Sequence, residues 1–203
     1  MPFLTKDAPN KIDMKIMSAA LNLFVENGYH NVTVHDIKKR ADVSIGAIYH
    51  HFGSKEGVAS KLFHHIINEL GELIDSVTES IESPSEQCKE IIKKLFEHTE
   101  SHPNIIAFVF HAKHTEFLSG DYLVYNAIPF IKMREIIAEG IDCGEFLETD
   151  KMAASSCIYG GAIRMIQLRL DGIIEKPITE YYDTIINAAW SGLINVNHTK
   201  SVR

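Results

Sequence analysis

The chain has 203 residues, 45% of them hydrophobic and 23% charged, with a net charge of -7. This is enough apolar material for a sizeable core, which excludes global disorder. Runs such as Ile105–Phe110 are too short to cross a bilayer, and the first residues lack the apolar stretch of a secretion signal. Three cysteines without CxxC spacing (Cys88, Cys143, Cys157) argue against a disulfide framework or a zinc knuckle, so a cytoplasmic protein with no membrane partner and no cofactor is expected.

Charge is unevenly spread. Residues 1–57 carry seven Lys and Arg against six Asp and Glu, whereas the rest has a net charge of -8. Acidic protein repels nucleic acid, so composition alone argues against DNA binding.

Strand signals are nearly absent, while helical periodicity recurs along the chain, so the fold class is all-α with about nine helices. The first helix is predicted over about 10–27, with Ile12, Ile16, Ala19, Ala20, Leu23 and Phe24 on one stripe and Gly28 as its stop. Thr33 opens a short second helix to Ala41, and Asp36 three positions on completes a capping-box pattern. Asp42-Val43 forms a tight turn, and Ser44 caps a third helix ending near His51. A long helix follows over about 54–81, ended before Pro84. Further helices are predicted over about 85–101, 104–118, 121–140, 150–171 and 177–196, the fourth-last and third-last being the most informative. Residues 104–118 are apolar almost all round, and Pro129 falls inside 121–140, where it should kink the helix.

Three short helices with a tight turn between the second and third have the proportions of a helix-turn-helix. Ile48 and Phe52 are four apart and pack inward with Ile37, Ala41 and Val43, leaving Ile45, Gly46, Ala47, Tyr49 and His50 outward. Small and aromatic groups allow such a helix to approach the major groove closely. Thr33, Ser44, Tyr49 and Lys55 can bond phosphate oxygens.

The residues Ala19-Ala20-Leu21-x-Leu23-Phe24 with Gly28-Tyr29, Thr33-Val34-x-Asp36-Ile37, and Ala41-Asp42-Val43-Ser44-x-Gly46-Ala47-Ile48-Tyr49-x-His51-Phe52-x-Ser54-Lys55-Glu56 resemble the N-terminal domain of the tetracycline-repressor (TetR/AcrR) family. The resemblance covers about residues 10–57. It implies a DNA-binding domain over 1–57 and a helical effector-binding and dimerisation domain over 58–203. It also implies a homodimer that represses transcription from a palindromic double-stranded operator and is released by a small molecule. Thr33, Ser44, Tyr49 and Lys55 match phosphate-contacting positions, and Ile45, Ala47 and His50 match base-facing ones; Gly46 and His51 complete the DNA-binding set. The chain departs from the family pattern at Asp42, where glycine is usual, at Lys38, where a small residue is usual, and at Ile45, where a polar residue is common.

Beside the expected Pro129 kink, Phe108, His111, Tyr125, Phe130, Met133 and Arg134 are the candidate lining of a pocket for a largely apolar effector. Small residues between Ala153 and Ala162, and the Ile178, Tyr182, Ile185, Ala189, Leu193 repeat, suit a four-helix dimer interface. The pairs His98/His102 and His111/His114 share helix faces, but spacing supplies no third ligand, so no metal is expected. No phosphate loop, GxSxG or HExxH motif is present, so an enzyme is not expected. The competing reading is a helical small-molecule- or metal-binding protein whose helix-turn-helix is non-functional.

Overall fold

The computed structural model describes residues 11–118 and 126–194. Among these there are nine α-helices: α1 (Lys11–Asn27), α2 (Val34–Ala41), α3 (Ile45–Phe52), α4 (Lys55–Ser80), α5 (Pro84–Ser101), α6 (Pro103–Phe110), α7 (Ile128–Asp142), α8 (Lys151–Leu170) and α9 (Tyr182–Trp190). Short 3-10 turns occupy His114–Glu116 and Ile178–Tyr181, and an isolated antiparallel bridge joins Phe146 to Ile194. The fold is all-α, as the periodicity predicts. Contacts gather into two compact units: residues up to Leu70 with Asn104–Ala127, and Gly71–Pro103 with residues from Ile128 on.

In the first unit, α1 buries Ile16, Ala19, Ala20, Leu23 and Phe24 of the predicted stripe together with Met17, whereas Ile12 of that stripe is exposed. Phe63 of α4 is fully buried, and its ring lies 4.7 Å from the His114 ring and 6.4 Å from that of Phe117. This cluster explains why α6 ends at Phe110 rather than near residue 118. His114 Nε2 donates to the Phe108 carbonyl at 3.0 Å, satisfying a carbonyl near the helix end. The chain then turns so that His114 and Phe117 are buried against Phe63 and Phe108.

Burial pushes the His114 imidazole below its ordinary value, and the bond to the Phe108 carbonyl opposes this only in part. The unfolded chain therefore binds a proton more readily, near the ordinary value of 6.5. Stability from neutral His114 is complete above that pH and is lost as the pH falls towards the lower folded value. Denaturant unfolding between pH 8 and 5 should show this loss, and it should shrink in His114→Phe.

The second unit is held by polar stitches as well as by its core. Ser83 caps α5 by accepting from the Glu86 N–H at 3.3 Å, and Pro84 occupies the first turn, where a missing N–H costs nothing. Glu145 Oε2 accepts from Ser83 Oγ at 2.8 Å and from the Ser85 N–H at 2.9 Å. Glu100 receives a two-pronged Arg169 guanidinium, each bond 3.0 Å, and also the Ile178 N–H at 2.8 Å. That joins α5 to the end of α8 and to the turn before α9. Gly140 has no room for a side chain, because a Cβ there would run into the ring of fully buried Phe146.

Two expectations are corrected here. Pro129 does not kink a helix; it is the second residue of α7, where its fixed φ suits a helix start. The last predicted helix resolves into a 3-10 turn and α9, which ends at Trp190, whose indole N–H donates to Ser85 Oγ at 2.8 Å.

Candidate nucleic-acid interface

The interface is assembled by bonds between residues close in sequence. Thr33 and Asp36 form the predicted capping box: the Thr33 N–H and hydroxyl donate to Asp36 Oδ2 at 2.8 and 2.6 Å, and Thr33 Oγ1 accepts from the Asp36 N–H at 3.2 Å. The Thr33 hydroxyl bond holds the Asp36 carboxyl below its usual range. Asp42 ends α2 with φ 52° and ψ 55°, the only positive-φ residue other than glycine among the described residues. A short polar side chain tolerates this left-handed geometry, which accounts for aspartate where the family usually has glycine. Ser44 Oγ accepts from the Ala47 N–H at 3.0 Å, which begins α3 and leaves the hydroxyl proton directed to other acceptors.

Ile48 and Phe52 of α3 are buried, as are Ile37 and Ala41 of α2, the helix against which α3 packs. The opposite face presents exposed Gly46, Tyr49 and His50, with half-buried Ile45 and Ala47 between them. Tyr49 retains 52% of its surface. Arg40 is paired with Glu26 at 2.9 Å, tying α2 to α1, while Lys38 and Lys39 remain exposed.

Lys55 is half-buried at the first position of α4. Its Nζ donates to the Tyr29 carbonyl at 3.0 Å and lies 4.2 Å above the Tyr29 ring centre. Burial, reinforced by Glu56 and Glu116, pushes the Tyr29 phenol well up, so Lys55 faces a neutral partner. An ammonium has three protons, and one carbonyl leaves capacity for a charged phosphate. Replacing Lys55 by alanine should weaken binding to all DNA sequences alike. The plot of log affinity against log salt should flatten by about one phosphate's worth of slope. Titration of one labelled duplex at four salt concentrations checks this.

His51 stands apart from the other residues of the DNA-binding set. Its Nδ1 lies 2.7 Å from Oδ1 of buried Asp13, and Lys61 Nζ donates to Oδ2 of the same carboxylate at 3.1 Å. Neither Asp13 nor Lys61 carries a local sequence signal, since their partners are 38 and 48 residues distant.

The candidate effector residues fall in separate places. Phe108 and His111 line a cavity of about 300 Å³ in the first unit, together with Phe24, Tyr29, Lys113 and Phe117. Phe130, Met133 and Arg134 lie on α7 in the second unit, where Met133 is buried and the other two are half-buried. Tyr125 lies outside the described residues. The α1 side of the cavity was not readable from sequence, because Phe24 belongs to a stripe that also forms core. The described residues include no cluster of three or more metal-ligating side chains and no helix long and apolar enough to cross a membrane.

Residues 16–62 match the family model of bacterial regulatory proteins, tetR family. Over 181 residues the chain is 29% identical to the fatty acid metabolism regulator protein of Bacillus subtilis, covering 83% of this chain and 82% of the relative. It is 30% identical over 88 residues to the transcriptional repressor KstR2 of Mycobacterium tuberculosis, covering 43% and 44% of the two chains. Among solved structures, the fatty acid degradation regulator FadR from Bacillus halodurans superposes with a TM-score of 0.74 at 21% identity, covering 88% of this chain and 98% of that one. FadR from Bacillus subtilis, solved in complex with stearoyl-CoA, gives 0.70 at 24% identity with the same coverage.

An all-α chain whose N-terminal helix-turn-helix presents a low-charge recognition face is a DNA-binding transcriptional regulator. Its residues 16–62 are similar to the DNA-binding domain of bacterial regulatory proteins of the tetR family. Its relatives are regulators rather than enzymes.

Proposed function

We propose that this protein is a homodimeric repressor of a palindromic operator, released when a largely apolar small molecule binds. The observation that carries the reading is α3, anchored by Ile48 and displaying Ile45, Gly46, Ala47, Tyr49 and His50 to solvent. Ile45 and Ala47 contact thymine methyl groups and His50 a base edge, whereas Ser44, Tyr49 and Lys55 hold phosphates. Thr33 contributes to that backbone-facing edge chiefly by fixing α2, because its hydroxyl proton is committed to Asp36. DNA binding is assigned to residues 1–57, and effector binding and dimerisation to 58–203.

Support for the dimer comes from α8. Ala154, Ile158, Tyr159, Ala162 and Ile166 are buried, while Ala153, Ser156, Cys157, Gly160 and Gly161 form an exposed face of small residues. Such a face admits close approach of a second helix, and a two-fold dimer reads a palindrome. For the effector, we assign the chemistry of a long-chain acyl thioester, supported by the regulator relative and by the stearoyl-CoA complex of its structural neighbour. Within the first unit, Phe108 and His111, which line its cavity, are the proposed contacts.

The test is selection of bound fragments from random DNA by the purified protein, then titration of the selected duplex with and without stearoyl-CoA. A palindromic fragment, a dimer in sedimentation at micromolar protein, and a fall in affinity of about 5–150-fold with the acyl-CoA are expected. A monomer on a non-palindromic site overturns the dimeric reading. Unchanged affinity at saturating acyl-CoA overturns the effector assignment alone.

A further inference from the structure

We infer that Asp13 and His51 are positioning residues that set base preference through His50. This rests on the reading of His50 as a base-facing residue.

Asp13, in the first turn of α1, is 6% exposed, an unusual place for a carboxylate unless cationic or hydrogen-bonding groups compensate its charge. Lys61 of α4 does so through a hydrogen bond, and His51 of α3 does so as an ion pair when its ring is protonated. His51 near the end of α3 places Nδ1 2.7 Å from Oδ1, and Lys61 of α4 donates to Oδ2 at 3.1 Å. Lys61 Nζ also lies 4.9 Å over the ring of Phe52, the last residue of α3. One buried carboxylate thus grips the C-terminal turn of the recognition helix directly at His51 and indirectly at Phe52.

The grip extends to the outer face. The His51 ring meets the His50 ring edge-on, with centres 5.1 Å apart and planes at 87°. His50 is exposed, so the ring of His51 is a fixed wall on one side of an otherwise solvent-facing side chain. With His51 held by Asp13, His50 has one favoured orientation from which to meet a base edge. With the carboxylate uncharged, His51 is released, and His50 presents several orientations to the groove. A base edge is discriminated only by a donor or acceptor held in place, so loosening His50 removes discrimination at one base pair and leaves phosphate contacts unaltered.

The experiment compares the full-length wild type with Asp13→Asn, His51→Asn and His50→Ala by selection from random DNA. Each variant is also followed by thermal unfolding and salt titration. His50→Ala identifies the base pair in each half-site that His50 reads. Asp13→Asn is expected to reduce preference at that same pair about 5–10-fold, with neighbouring positions and the salt slope unchanged. His51→Asn keeps a donor near Nδ1 but removes the wall, so it should give the same loss even if Asp13→Asn proves too unstable to measure. Wild-type preference at that pair in a folded Asp13→Asn or His51→Asn protein overturns the inference. So does an even loss across all positions, which marks a purely structural role. If His50→Ala changes no position, the base-facing reading of His50 fails, and the inference falls with it.

Discussion

Ile48→Ala is expected to cost about 2–5 kcal/mol of stability and to abolish operator binding at concentrations where the wild type saturates. Ile48 is fully buried and is the inward anchor of an eight-residue helix whose other buried residue is Phe52. A helix this short has little stability of its own, so its position depends on that packing. Removing three carbons leaves a cavity in the core that α3 shares with α2 and frees α3 to shift relative to it. Denaturant unfolding measures the first effect. Binding at a temperature where the variant remains folded measures the second, and wild-type affinity there would show that the helix is seated by other contacts.

Phe63→Ala should be costlier still, about 3–5 kcal/mol, because it empties the centre of the first compact unit. The ring is fully buried and touches His114 and Phe117, the residues that turn the chain after α6. Their burial depends on this contact, so the variant should also expose His114. The acid sensitivity attributed to its lowered pKa should then diminish, since an exposed imidazole no longer differs from that of the unfolded chain. A variant with wild-type stability would mean that neighbouring side chains collapse fully into the vacated space.

The recognition unit was legible in the chain because its defining contacts are local. The Thr33–Asp36 box, the left-handed Asp42 and the Ser44 cap join residues three to five apart, and each residue type states its own conformational need. The inward placing of Ile48 and Phe52 follows in the same way from one helical turn of spacing. The limits of α1, α4 and α8 were likewise readable within a residue or so, because caps and apolar stripes coincide there. The end of α6 and the place of Pro129 at the start of α7 were not legible in the same way. Uniform apolarity marks burial but carries no period that says where a helix stops, and a proline inside an apolar run suits a helix start as well as a kink.

The residue types and spacings by themselves determined the all-α class, the helix-turn-helix and the outward face of α3. Tertiary structure alone decided the partners of the ionisable groups. It turned His51 towards Asp13, set Lys55 on Tyr29, and divided the candidate effector residues between two units. The physical reason is range. Capping and helical periodicity act over a turn or two of chain, so the sequence carries them openly. The partner of a buried charge depends on which distant helix passes within about 3 Å, and nothing near Asp13 in the chain specifies His51 or Lys61.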